Sequence, residues 1–189
     1  MRSYRVSNLN MISFLIAINV LVFIVTSVNS EVVLLLGLQP ATFLQQPWTI
    51  ISNLFVHGGI WHIFANMLSL YFLGSLLLRL IGGRNFLLVY FIGGVVGNVL
   101  FILLANPLSV GIGASGAIFA LGGALAILVP KLPVFIFFIP IPTPLWVAIV
   151  VFLLLSFIPG IAIAWQAHLG GLVLGLMAGY YFRRKKAYF

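Results

Sequence analysis

The sequence predicts an all-α membrane protein folded as a bundle of six transmembrane helices, and three observations support this fold class. Hydrophobic residues make up 63% of the 189 residues, and charged residues only 5%. Runs of about eighteen or more apolar positions recur, which is the length that a helix needs to cross a bilayer. Strand-like alternation is absent, so helices rather than a barrel are expected to satisfy the backbone in lipid. A single domain over residues 1–189 is therefore expected.

The expected spans follow the hydropathy of the chain in order. For residues 1–28 a cleaved signal peptide is the alternative, but the apolar stretch is long for one and no small-residue cleavage site follows it. The semi-apolar loop 29–59 is expected to lie in the membrane interface, with Trp48 as an anchor. Five prolines between residues 130 and 144 leave the start of the fifth span open. The six spans are 10–28, 60–78, 85–105, 115–130, 143–158 and 165–182.

The charges behave as topology signals. With six spans both termini lie on one side, and if that side is the cytoplasm, all nine basic residues are inside, as the positive-inside rule requires. The single acid, Glu31, then falls in an outer loop. Basic residues scattered between apolar spans do not form a nucleic-acid-binding face. We therefore expect a multi-pass protein of the cell membrane with cytoplasmic N- and C-termini and no nucleic-acid partner. The basic residues are Arg2, Arg5, Arg79, Arg84, Lys131, Arg183, Arg184, Lys185 and Lys186.

Polar side chains from three spans share one membrane depth when residues are counted back from the first basic residue beyond each span. Ser115 lies 16 residues before Lys131, and His168 lies 15 residues before Arg183. His62 and Asn66 lie 17 and 13 residues before Arg79. At about 1.5 Å per residue, this level is roughly 20 to 26 Å above the inner charges, within the bilayer near its outer face. His57 lies 22 residues before Arg79 and is therefore expected near the outer membrane surface.

The fourth span is too short to cross a membrane when it is counted from Ser115. The preceding segment, "ANPLSVGIGA", is therefore expected to enter the bilayer as a re-entrant loop, which is tolerated only where protein or a water-filled cavity satisfies its backbone. Ser115 would then stand at a helix N-terminus, where free N–H groups and the helix dipole favour a developing anion.

Small residues repeat every four positions on two spans. Gly171, Gly175 and Gly179 form one stripe, and Gly116, Ala120 and Ala124 form the other. Such stripes let helices approach closely, which would allow the short side chain of Ser115 to reach His168.

Each of these features also has a purely structural interpretation. A serine in a membrane helix usually bonds its own backbone, and a lone histidine or asparagine often joins two helices. Three histidines without a carboxylate or thiolate make a poor metal site, so no metal is expected. A channel or proton-coupled transporter would be expected to carry acids within its spans, and here the spans contain none.

Three motifs resemble those of the rhomboid intramembrane serine proteases. "GASG" (113–116) is similar to the family's G-x-S-G, which assigns the nucleophile to Ser115. "AHLGG" (167–171) is similar to A-H-x-x-G, which assigns the base to His168. "HGGIWHIFAN" (57–66) resembles the pattern that places His62 and Asn66 at the oxyanion site.

The resemblance implies an intramembrane serine endopeptidase that cleaves transmembrane segments of membrane proteins with a Ser-His dyad and needs no cofactor. It also implies that Phe119, where many relatives carry tyrosine, stacks on the catalytic histidine. Substrates would enter past the fifth span, with the loop around Pro159 and Gly160 as a cap. Where many relatives have Trp-Arg, this chain has Trp48 and Thr49. A non-catalytic rhomboid-fold protein that binds membrane clients is the alternative.

Overall fold

The computed structural model describes residues 2–136, 139–158 and 163–185, and most of them are helical. The helices and strands are α1 (Arg2–Val28), α2 (Glu31–Leu36), α3 (Thr49–Ser52), α4 (Ile60–Ser69), α5 (Ser75–Ile81), α6 (Gly83–Leu104), α7 (Ser115–Leu128), β1 (Pro133–Ile136), β2 (Ile139–Pro144), α8 (Leu145–Leu155) and α9 (Trp165–Arg184). Short 3₁₀ turns lie at Pro40–Thr42 and Asn53–Phe55.

The predicted spans fall on helical segments, within a few residues at each end. Three stretches of the described helices are long and apolar enough to cross a membrane: Met11–Val28, Ile60–Ile81 and Gly83–Leu104. The second of these stretches is not one regular helix, because a π-helical turn at Leu70–Gly74 joins α4 to α5. The helices α7 and α8 are apolar but shorter, with 14 and 11 residues.

A single glycine makes the tight connection between α5 and α6. Gly82 has a φ of 79°, in the left-handed region that residues with a Cβ rarely adopt. The amide of Asn85 then donates to the Ile81 carbonyl at 2.8 Å, which satisfies one of the free carbonyls at the end of α5. A single residue therefore connects the end of α5 at Ile81 to the start of α6 at Gly83.

The centre of the bundle is α7, whose side chains are mostly buried, and its closest neighbour is α9. The two stripes of small residues meet along this contact, with backbone facing backbone. A Cβ added to any of the three glycines in the α9 stripe would collide with a carbonyl oxygen of α7. The facing pairs are Gly171 with Gly116, Gly175 with Ala120, and Gly179 with Ala124.

A short antiparallel hairpin, which the all-α prediction did not include, precedes α8. Pro133 pairs with Pro144 and Val134 with Thr143 between β1 and β2. The physical reason lies in the prolines that obscured the start of the fifth span. Proline fixes φ in a range compatible with extended chain and lacks the N–H that a helix interior needs. This segment is therefore extended, and α8 begins only at Leu145.

Candidate active site

A hydrogen bond of 2.7 Å joins Ser115 Oγ to His168 Nε2, across 53 positions of sequence. Ser115 is the first residue of α7 and His168 lies in the first turn of α9, so the close contact between these helices brings the two side chains together. His168 is 7% exposed. The pair has the separation that a nucleophile and its general base require.

The other ring nitrogen of His168 also has a partner, which was not predicted. Ser156 follows the last residue of α8, and its Oγ lies 2.8 Å from His168 Nδ1. The same hydroxyl donates to the Phe152 carbonyl at 3.0 Å. The signal in the sequence was faint, because α8 carries no charge from which its depth could be counted.

Phe119 covers one face of the histidine ring. Its ring centroid is 4.3 Å from that of His168, with 23° between the planes, which is a stacked arrangement. Phe119 lies one turn after Ser115 on α7. The same helix therefore supplies both the hydroxyl and the ring that hold the imidazole in place.

His62 approaches the same site from α4, with Gly113 between it and Ser115. Gly113 has a φ of 115°, which favours glycine. A Cβ at this position would lie 2.7 Å from His62 Nε2 and 3.8 Å from Ser115 Oγ. The missing side chain of Gly113 therefore leaves open the space between the two polar groups.

Asn66 lies one turn below His62 on the same helix, but its amide is engaged elsewhere. Its Nδ2 donates to the His62 carbonyl at 2.8 Å, and its buried Oδ1 has no hydrogen-bond partner among the described residues. In this structure Asn66 therefore bonds to its own helix, and its predicted role at the oxyanion site remains a prediction.

The burial of His57 was not predicted from the sequence, and its expected depth near the outer surface stays a prediction. Its side chain is 3% exposed, and its ring centroid lies 5.0 Å from that of His62, in an edge-to-face arrangement. The residue count assumed a helix that continued above His62, whereas α4 begins at Ile60 and the chain turns at the two glycines before it. Burial lowers the pKa of His57 to about 4, with a smaller contribution from the nearby His62.

Two buried asparagines, which the sequence analysis did not single out, hold the segment that leads into Ser115. The amides of Asn53 and Asn98 bond each other twice, at 3.0 and 2.8 Å, and Asn98 also donates to the Ile50 carbonyl at 2.7 Å. The Gly113 N–H donates to the Asn53 carbonyl at 2.9 Å. A cavity of about 10 Å³ lies between these amides and Ser115. The available signal was an amide within the apolar α6, since polar groups in a membrane helix are functional candidates.

Two further predictions bear on the surroundings of the site. The proposed cap at Pro159 and Gly160 lies outside the described residues. Among the residues that the structure describes, no group of three or more histidine, cysteine, aspartate or glutamate side chains could hold a metal ion.

Comparison with known proteins identifies the family. The family model for the rhomboid domain matches residues 44–185. Rhomboid protein 1, mitochondrial, of Saccharomyces cerevisiae is 33% identical over 143 residues, which cover 70% of this chain and 41% of that protein. Rhomboid protease GluP of Bacillus subtilis is 32% identical over 118 residues, which cover 58% and 23%. Rhomboid-like protease 3 of Toxoplasma gondii is 33% identical over 100 residues, which cover 52% and 38%.

The chain spans less than half the length of each of these relatives, two of which are named as proteases. The matched region includes α4, α6, α7, α8 and α9, and it contains all the polar residues described in this site. Because the family model covers well over half of the sequence, this multi-pass membrane protein belongs to the rhomboid family.

Proposed function

We propose that this chain is an intramembrane serine endopeptidase that cleaves transmembrane segments of membrane proteins, with Ser115 as nucleophile and His168 as general base. The observation that carries the proposal is the 2.7 Å hydrogen bond between Ser115 Oγ and His168 Nε2, at the N-terminus of a helix in a rhomboid-family membrane protein. The two relatives named as proteases support the same activity.

The reaction uses the two groups in turn. Ser115 Oγ attacks the scissile carbonyl carbon while His168 Nε2 takes the hydroxyl proton. The C–N bond of the tetrahedral intermediate then breaks, the amine leaves with that proton, and an ester to Ser115 remains. A water molecule attacks the ester, again giving a proton to His168, and the C–O bond to Ser115 breaks. The carboxylic acid product leaves, and the hydroxyl of Ser115 regains its proton from His168.

The oxyanion is stabilised by His62 and by the backbone N–H of Ser115. That N–H stands at the first position of α7 and has no acceptor within its own helix. The Gly58 N–H donates to His62 Nδ1 at 3.3 Å, so a neutral His62 carries its proton on Nε2, the nitrogen beside Gly113. His62 is thereby a hydrogen-bond donor toward the space in front of Ser115. Asn66 would join these donors once its amide turns from the His62 carbonyl.

The architecture that goes with this activity has six spans in one domain and a re-entrant loop before α7. With 14 residues α7 is about 21 Å long, shorter than the roughly 30 Å of a hydrocarbon core. The preceding segment is bonded to protein, as re-entrant chain must be. Leu38 and Gly111 exchange two backbone hydrogen bonds, and the Ala41 N–H donates to the Pro107 carbonyl.

The proposed location is a cell membrane, with both termini in the cytoplasm. Its support is the charge distribution, because six spans place all nine basic residues on one side. The site then lies below the outer surface, beneath the chain that connects α1 to α4. A substrate would be a membrane protein whose helix unwinds near its outer end, where water can reach the acyl-enzyme.

The test is cleavage of a transmembrane reporter by the purified protein in detergent, read beside labelling with a fluorophosphonate probe of activated serines. Wild type is expected to cleave the reporter and to be labelled at Ser115. Ser115→Ala and His168→Ala are each expected to abolish both signals while the protein still folds, since nucleophile and base act as one unit. Ser109→Ala, which removes an exposed hydroxyl from the preceding loop, serves as the matched control.

Two outcomes would count against the proposal. Cleavage that persists in Ser115→Ala would exclude a serine mechanism at this residue. Wild type that retains the reporter on co-purification without cleaving or labelling would favour the alternative, a non-catalytic rhomboid-fold protein that binds membrane clients.

A further inference from the structure

Ser156 is a buried hydroxyl that the proposed dyad does not use. It is 3% exposed and immediately follows α8, in which no other residue carries a hydroxyl. A serine in a membrane helix usually bonds only the carbonyl one turn earlier. Ser156 does so at 3.0 Å to Phe152, but its Oγ also lies 2.8 Å from His168 Nδ1. This second contact needs its own explanation.

The direction of each hydrogen bond follows from the chemistry of the partners. The Phe152 carbonyl can only accept, so the single hydroxyl hydrogen of Ser156 is donated to it. The oxygen of Ser156 therefore accepts from His168, and Nδ1 carries the ring proton. In a neutral imidazole the other nitrogen, Nε2, is then unprotonated and accepts from Ser115. In this series of three hydrogen bonds, from Ser115 through His168 and Ser156 to Phe152, every donor has one acceptor.

We propose that Ser156 is a positioning residue that holds His168 in the tautomer able to accept a proton from Ser115. Its effect on catalysis rests on the proposed function, whereas its effect on the tautomer does not. The chain has only one acidic residue, Glu31, in α2, so no carboxylate on α8 or α9 can orient the imidazole. The hydroxyl of Ser156 donates its hydrogen to the Phe152 carbonyl, and its oxygen orients the imidazole in place of a carboxylate.

The same contact gains strength during the reaction. When His168 accepts the proton of Ser115, its Nδ1–H becomes part of a cation, and hydrogen bonds to charged groups are about twice as strong as neutral ones. Ser156 therefore favours the charged intermediate over the resting enzyme. An interaction that is stronger in the transition state raises kcat rather than substrate affinity.

His62 provides an internal comparison. Its Nδ1 accepts from the Gly58 N–H, which leaves the proton on Nε2. The two histidines at the site are thus expected in opposite tautomers, His62 as a donor and His168 as an acceptor toward the same space. Each tautomer is set by the partner of the ring nitrogen that faces away from Ser115.

The kinetic test compares Ser156→Ala and Ser156→Thr with wild type on the transmembrane reporter. For Ser156→Ala we expect kcat to fall about 10- to 100-fold, the range for losing a hydrogen bond to a charged group, with KM unchanged. Ser156→Thr keeps the hydroxyl and is expected to recover most of the loss. The controls are Ser75→Ala, another buried serine, and Ser27→Ala, which loses the same bond to a carbonyl one turn earlier.

The tautomer is measured directly by NMR on protein labelled with ¹⁵N-histidine. The chain has only three histidines, so His57→Gln and His62→Gln suffice to assign the signals. In wild type, His168 is expected to carry its proton on Nδ1. In Ser156→Ala a mixture of both tautomers is expected, whereas in Ser75→Ala the wild-type pattern stays.

The two proposals fail in different ways. If wild type neither cleaves nor is labelled but the tautomer shifts in Ser156→Ala, the proposed function is wrong and the positioning role stands. If wild type cleaves and Ser156→Ala leaves kcat and the tautomer of His168 unchanged, the positioning role is wrong. A wild-type His168 with its proton on Nε2 would overturn it as well.

Discussion

Gly171→Ala is the substitution whose effect on the site can be worked out most directly. Gly171 on α9 faces the Gly116 carbonyl on α7, and a Cβ there would overlap that oxygen. Both backbones are helical and cannot yield locally, so the helices must separate. His168 lies three residues before Gly171, and Ser115 directly precedes Gly116. Separating the two helices at this point therefore increases the distance between Ser115 Oγ and His168 Nε2.

The size of the effect follows from ordinary contact distances. A carbon and a carbonyl oxygen approach to roughly 3.3 Å, so a separation on the order of 1 Å is needed. Overpacking of this kind costs about 1–3 kcal/mol of stability. A displacement of about 1 Å between reacting groups costs about 10²-fold in rate, because the 2.7 Å bond from Ser115 to His168 would be lost.

Gly179→Ala is the matched control. A Cβ at Gly179 would lie 2.6 Å from the Ala124 carbonyl oxygen, which is the same kind of collision on the same stripe. It lies eleven residues from His168, about 16 Å along the helix. We expect both variants to lose stability, Gly179→Ala less because its overlap is smaller, and we expect a loss of activity below tenfold for Gly179→Ala.

The assay combines thermal unfolding in detergent with reporter cleavage at a temperature where all variants are folded. If Gly171→Ala kept wild-type activity and unfolding temperature, the backbone contact assigned to this stripe would be wrong. Equal losses of activity in the two variants would show that the dyad is not sensitive to local helix separation.

Three other substitutions test separate parts of the site. Gly113→Ala places a Cβ 2.7 Å from the nearest histidine nitrogen, so reporter cleavage should fall at least 10²-fold, while Gly59→Ala, with nothing within 4 Å, should not change it. Asn98→Ala leaves the amide of Asn53 without its partner and should lower the free energy of unfolding by about 1–3 kcal/mol. If thermal unfolding shows no loss of stability, Asn98 does not help to hold the segment before Ser115. Because burial holds the pKa of His57 at about 4 against 6.5 when unfolded, protons favour the unfolded chain below pH 6.5. The unfolding temperature should therefore drop from pH 7 toward pH 4, and less so in His57→Gln.

The helices and the central pair of the site could be predicted because both depend on regular geometry. Long apolar runs mark helices whatever their neighbours, and a constant rise per residue allows depth to be compared between helices. This comparison put Ser115 and His168 at one level, and the stripes of small residues predicted that their helices would touch.

The rest depended on contacts that no count along the chain can supply. The contact of His57 with His62 could not be predicted because the regular rise of α4 begins only at Ile60. The contact of Ser156 with His168 could not be predicted, because a serine in a membrane helix is expected to bond only a carbonyl of its own helix, as Ser156 does with Phe152. The pairing of Asn53 with Asn98 joins a loop to a helix 45 positions away, and nothing in either local sequence indicates the other.

The stripe on α9 also bears on how the protein is made. Glycines that let this helix touch α7 contribute little apolar surface, and its first turns carry Gln166 and His168 as well. Accordingly α9, although 20 residues long, is not among the described helices whose apolarity alone suffices to cross a membrane. We therefore expect packing against α6 and α7, the helices that α9 contacts most, to favour its insertion into lipid. If Ser115 and His168 act as proposed, we expect a nascent chain that stops before α9 to lack the general base and therefore to be inactive.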